Sequence, residues 1–177
     1  MKFSTGLAFA AVMSLAVVDA NGAMASGPMA HQALAPIGFY LFCLKNPNQC
    51  RASGSASVAT SPNTLSVLRQ VNISVNTSMQ PKADAHGDVW TLGASAGDCE
   101  DYVLNKRSAL IRKGMPASAL RIAYVKTGAG ADHAVLVAMV GKSALVLDNL
   151  TDQILPLGQT GLRVVSMSGA NPTQWNG

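Results

Sequence analysis

The order of patterns along the chain predicts an α+β fold, with helices in the first half and an antiparallel sheet in the second. Three observations lead to it. Leu65, Leu68, Val71, Val75 and Met79 recur at helical steps and form one apolar face. Asp98 opens, and Lys113-Gly114 closes, a run with the signals of a capped helix. His133–Val140, the tight turn Gly141-Lys142 and Ser143–Asp148 then read as a β-hairpin. Its strands are apolar on both faces, which places them centrally in a covered sheet.

Taken in order, the chain of 177 residues begins with Lys2, an apolar run from Leu7 to Val18, and Ala23-Met24-Ala25. A positive start, a short hydrophobic stretch and a small-x-small site are the order of a cleavable signal peptide. The run is shorter than the roughly 20 residues of a membrane-spanning helix. Cleavage is expected after Ala25, with Ala23 as the alternative site, which makes the protein periplasmic or secreted. Residues 26–177, about 150 of them, are expected to form a single domain with its own core. The net charge of +4 is scattered, with no basic stripe interleaved with aromatics, so nucleic acid is not an expected partner.

In an oxidising compartment Cys43 and Cys50, with Pro47 between them, are expected to close a small disulfide loop. Of the three cysteines, Cys99 is then unpaired. Residues 26–57 read as mostly irregular, with a short strand around Gly38–Leu44. Ser61-Pro62-Asn63 starts the first helix and Pro81 ends it. A polar connector follows, anchored by Trp90, a core residue or a wall of the site. His86 within it is a solvated loop histidine or, alternatively, a base or metal ligand. After the Cys99 helix, Leu120–Thr127 reads as a strand with Arg121 and Lys126 outward. Gly128–Asp132 is a flexible loop leading to His133. Beyond Asp148 come a turn at 149–152, Ile154-Leu-Pro156, a last strand Leu162–Met167, and a tail held by Trp175.

Cys99 sits in the first turn of its helix, where unpaired backbone N–H groups favour thiolate. A nucleophile there needs a base and an acid that orients the base. With a two-residue turn, Val140 pairs with Ser143, and this register sets Val135 opposite Asp148 and His133 opposite Leu150. His133 and Asp148 become diagonal neighbours on one face. A helix N-terminus packed on that face would bring Cys99 to them. The bland alternatives are a buried inert thiol or pairing of Cys99 with Cys43 or Cys50, a strand-end histidine and a turn aspartate. Acidic Asp98, Glu100 and Asp101 beside Cys99 oppose the thiolate, and basic Lys106, Arg107, Arg112 and Lys113 follow in an order that suits the helix dipole.

Several segments, in order, resemble one family: Val71-Asn72 and Val75-Asn76, Asp88-Val-Trp90, Gly97-Asp-Cys-Glu-Asp-Tyr102, His133-Ala-Val-Leu136, Leu147-Asp-Asn-Leu-Thr151, Leu155-Pro156 and Thr160-Gly161. Together they are similar to the bacterial transglutaminase-like cysteine peptidases, including the LapG-type periplasmic proteases, over residues 36–176. The resemblance implies a papain/transglutaminase-like fold, a nucleophile helix packed on an antiparallel sheet. It implies Cys99 as nucleophile, His133 as base and Asp148 as orienting acid. It also implies Ca²⁺ at Asp98, Glu100 and Asp101, where a hard cation would neutralise the charges that oppose the thiolate. Without the cation, Asp98 caps the helix while Glu100 and Asp101 complement its dipole. No organic cofactor is expected. The connector Trp90-Thr-Leu-Gly-Ala-Ser95 departs from the family, which usually has a proline and an acidic residue there.

The leading function is an exported cysteine endopeptidase acting on a protein of the cell envelope. Transglutaminase-like acyl transfer with the same triad, or a silent binding module, are the alternatives. By family analogy a regulatory inner-membrane partner is implied, and a monomer is expected.

Overall fold

The computed structural model describes Met1 and residues 32–177, so residues 2–25 of the expected signal peptide, 1–25, lie outside the described residues. The elements are β1 (Gln32–Ala33), α1 (Ile37–Lys45), α2 (Pro62–Ser78), β2 (Gln80–Pro81), β3 (Ala96–Gly97), α3 (Cys99–Arg112), β4 (Leu120–Lys126), β5 (Asp132–Val140), β6 (Ser143–Leu147), β7 (Leu155–Pro156), β8 (Arg163–Ser168) and β9 (Trp175–Asn176). Seven strands form one antiparallel sheet in the order β1-β9-β8-β4-β5-β6-β7. A separate parallel pair, β2–β3, leads into α3. The fold is the expected α+β arrangement.

Side-chain alternation splits the central strands between two cores. Ile122, Ala134, Leu136, Ala138 and Leu147 face α2 and α3 in the main core, with Leu68, Val71, Val103 and Leu110 from the helices. Ala123, Val125, Val135, Val137 and Val146 form a second core on the opposite face, with Leu157, Leu162 and Met167 packed on it. The predicted hairpin has its predicted register, from Val140↔Ser143 to Leu136↔Leu147. Gly141 takes φ 57°, the left-handed conformation that a tight turn needs.

Helix α2 begins where the sequence said, with Ser61 Oγ accepting from Thr64 N–H at 3.0 Å and Pro62 in the first turn. One expectation is overturned. The stretch Gly38–Leu44 is not a strand but most of α1. Phe39 and Phe42, three residues apart, dock together into the core, Phe39 against Trp90 and Trp175 with ring centroids 5.2 and 5.7 Å away. Tertiary packing of that pair decides a segment whose apolar residues lie all round. Lys106 and Arg107 are not solvated: they are 1% and 2% exposed, on the face of α3 turned inward with Val103 and Leu110.

The disulfide Cys43–Cys50 is present, with Cα atoms 5.6 Å apart. It ties the end of α1 to the 3₁₀ turn at Pro47–Cys50. Arg107 Nη1 donates to Gln49 O at 2.6 Å, fastening that loop to α3.

Candidate active site

Helix α3 starts at Cys99, with Asp98 at the N-cap position. The Asp98 side chain makes no capping hydrogen bond, contrary to expectation. The acid three residues on does the work in reverse, since the Asp101 carboxylate accepts from the Asp98 backbone N–H. Asp101 Oδ1 also accepts from Thr91 N–H at 2.6 Å, so the connector after Trp90 is pinned to the first turn of α3. Any Cβ at position 97 would strike the Asp101 carboxylate, which explains the glycine before Asp98. Trp90 is a core residue: it is buried, and its Nε1–H donates to Asp88 Oδ1 at 2.7 Å. His86 is exposed in the connector.

His133 and Asp148 are both buried at the open end of the hairpin, with His133 Nε2 2.8 Å from Asp148 Oδ1. Leu150 N–H donates to the same oxygen at 3.0 Å, closing an Asx turn. Asn76 on α2 donates to Asp148 O at 3.0 Å, and both Asn72 and Asn76 donate to Thr151 O, at 3.1 and 3.3 Å. These two asparagines lie beside the apolar face of α2, and their signal in the sequence was the resemblance of Val71-Asn72 and Val75-Asn76 to the family.

Cys99 does not reach this pair over a sheet face. Alternation assigns His133 to the Val135 and Val137 side, whereas α3 covers Ala134, Leu136 and Ala138. What Cys99 does meet is a free amide at the edge of β5. Thr127 N–H donates to Ala131 O, so the β4–β5 hydrogen bonds fall at odd-numbered residues of β5 and its even-numbered amides face β6. Because β6 ends at Leu147, the Ala134 N–H has no strand partner, and it points at Cys99, favouring the thiolate.

The other influences on Cys99 run the opposite way. Burial raises its pKa most, followed by its hydrogen bond to Glu100 and the Glu100 and Asp98 charges. Its thiol donates to Glu100 Oε2 at 2.9 Å, not to His133. Tyr124 OH donates to the other Glu100 oxygen at 2.9 Å. Burial pushes Glu100 up, but the hydrogen bonds from Cys99, Asp98, its own N–H and Tyr124 outweigh it and hold it below the usual carboxylate range. The thiolate expected from the helix position is therefore replaced, in this state, by a thiol clamped on Glu100. Asp148 is depressed as well: burial raises it, while His133, the Leu150 N–H and Lys106 more than compensate.

The acids at the helix start are chemically suited to a hard cation. Asp98 is pushed up to about 7 by burial, then by its hydrogen bond to Glu100 and the charges of Glu100, Asp101 and Asp84. Asp88 and Asp101 are raised too, by burial first and by neighbouring carboxylates in part. A cation would relieve this crowding, and Asp98 and Glu100 already face each other. Asp101 is committed to two backbone N–H groups, and among the described residues no three His, Cys, Asp or Glu side chains stand together as a metal-holding group.

A sequence profile of the bacterial transglutaminase-like cysteine proteinases (BTLCP) matches residues 29–177, and the chain belongs to this family. Among solved structures it is similar to LapG of Legionella pneumophila, at 26% identity and a TM-score of 0.55 over 63% of this chain and 66% of LapG. Calcium-bound LapG matches at 26% identity and a TM-score of 0.57, over 67% of this chain and 71% of that one. LapG treated with EGTA matches at 26% identity and a TM-score of 0.55. The chain thus spans just under two thirds of the length of the LapG structure first compared. No curated protein sequence matches it.

Proposed function

We propose that this chain is an exported cysteine endopeptidase that cleaves a protein of the cell envelope, with Cys99 as nucleophile, His133 as base and Asp148 as the acid that orients it. The observation that carries this reading is the buried His133–Asp148 contact of 2.8 Å, next to an Ala134 N–H that points at the only cysteine outside the disulfide. With Asp148 taking Nε2–H, the imidazole lone pair is on Nδ1. His133 Nδ1 accepts the Cys99 proton as Sγ attacks the scissile carbonyl. The tetrahedral oxyanion is stabilised by N–H groups at the start of α3, that of Cys99 first. His133 then returns the proton to the leaving amine, giving a thioester that water hydrolyses with His133 again as base. Asp148 fixes the tautomer and favours the imidazolium formed on the way.

Before any of this, the Cys99 proton must leave its hydrogen bond to Glu100. Calcium held by Asp98 and Glu100, with Asp101 joining once it leaves its two backbone N–H partners, would supply positive charge that offsets these carboxylates. Support for it comes from the crowded acids and from the calcium-bound state of LapG.

The test is labelling of the mature chain with iodoacetamide, in calcium and in EGTA, with the label located by peptide mass spectrometry. Labelling of Cys99 that His133→Ala slows about tenfold or more supports an activated nucleophile. Labelling indifferent to His133 overturns the triad. A thermal shift in calcium supports the metal site, and identical melting in calcium and chelator removes it. Envelope proteins incubated with the active chain should yield fragments; crosslinked products would indicate acyl transfer instead.

A further inference from the structure

A buried ammonium is costly unless something compensates it. Lys106 lies two turns beyond Cys99 on the inward face of α3 and is 1% exposed. Its Nζ has no hydrogen-bond partner among the described residues and stands 5.9 Å from the centre of the Tyr102 ring on the same helix. A cation over a ring recovers a part of the lost hydration only. Among the described residues no carboxylate comes within 4 Å of Nζ, and the remaining compensation is the longer-range pull of Asp148 first and Asp152 second. Both belong to the 148–152 turn, and α2 holds that turn from the other side through Asn72 and Asn76. The side-chain oxygens of Asn72, Asn76 and Asn149 are likewise buried without partners, so the space behind the turn is polar. Asp148 uses a single oxygen for both His133 and Leu150 N–H, and the Lys106 charge favours its ionised form from a longer distance.

We propose that Lys106 is a positioning residue for the His133–Asp148 pair: its buried ammonium, with the two α2 asparagines, holds the 148–152 turn so that the Asp148 carboxylate stays charged and aimed at His133. Lys106 acts through Asp148 and touches neither Cys99 nor substrate. The sequence hides this role, because Lys106 reads as one of several basic residues near a helix end. Helical arithmetic reveals it, since position 106 falls on the stripe of 99, 103 and 110.

This inference rests on the triad reading, and its test separates the two. The rate of Cys99 modification by 2,2′-dipyridyl disulfide, which reacts with thiolates at mildly acidic pH, is measured at pH 6 for the wild type, His133→Ala, Lys106→Met, Asp148→Asn and the Lys106→Met/Asp148→Asn double variant. Lys106→Gln replaces Lys106→Met if the methionine variant does not fold. The expected result is a slowing of roughly fivefold or more by Lys106→Met in the wild-type background and under about twofold in the Asp148→Asn background, the non-additivity of groups acting as a unit. Lys106→Arg should restore part of the rate. Melting should be unchanged or raised by Lys106→Met, because a buried charge has been removed. A merely structural lysine would instead lower stability and slow both backgrounds equally, which would overturn the proposal. An unaltered rate in Lys106→Met beside a slowed His133→Ala would overturn it while leaving the triad standing. A rate indifferent to His133→Ala would remove the triad and the role of Lys106 with it.

Discussion

At the scale of single residues, the site is governed by what surrounds one sulfur. Glu100 holds the Cys99 proton through a 2.9 Å hydrogen bond and adds its own negative charge. Glu100→Gln removes the charge and weakens the acceptor. In EGTA, the pH at which Cys99 labelling reaches half its maximal rate should fall by about one unit or more, and labelling at pH 7 should rise. A midpoint that stays in place would show that burial alone sets the thiol. Gly97 is the second lever. A methyl there meets the Asp101 carboxylate, and Asp101 cannot yield without releasing the Thr91 and Asp98 N–H groups. Gly97→Ala should cost about 1–3 kcal/mol in denaturant unfolding, the range for overpacking a tight site. A variant as stable as the wild type would mean that the helix start tolerates a shifted Asp101.

At the scale of elements, legibility followed periodicity. The hairpin was readable to the exact pairing, because a two-residue turn leaves its register no freedom, and α2 was readable from one stripe and one cap. The segment Ile37–Lys45 was not, because Ile37, Tyr40, Leu41 and Leu44 are apolar and exposed while Phe39 and Phe42 are apolar and buried. A helix apolar on every side carries neither period. Where Cys99 meets β5 was not readable either. Pairing arithmetic gives the face of each strand residue, but not where the neighbouring strand stops. The loop between Cys43 and Cys50 was readable from spacing, and its sulfurs take no part in the proposed chemistry. Replacing both cysteines with serine should cost about 2 kcal/mol of stability, the entropy of so short a loop, without changing the labelling rate of Cys99. Loss of Cys99 reactivity in that variant would tie α1 to the site.

At the scale of the whole molecule, a buried lysine gives stability a pH dependence. Burial pushes Lys106 down to about 7 from an ordinary value of 10.5, against the pull of Asp148 and Asp152. Between those values the unfolded chain binds the extra proton and the folded chain does not. The contribution of this group to stability is therefore present above about pH 10.5 and is lost as pH falls toward 7. The melting temperature of the wild type minus that of Lys106→Met should accordingly climb between pH 7 and 10; a flat difference would place the lysine in water in the folded state. Finally, β5 keeps an amide that its sheet does not use. Strand β6 leaves the ladder at Leu147, so the Ala134 N–H is guarded by whatever occupies the space in front of Cys99 and not by a neighbouring strand. In deuterated solvent that one proton should exchange ahead of its neighbours on β5 and slow when an acyl group or inhibitor is attached to the sulfur. The chain thus contains its own occupancy gauge, readable by exchange at a single backbone position without knowing the substrate.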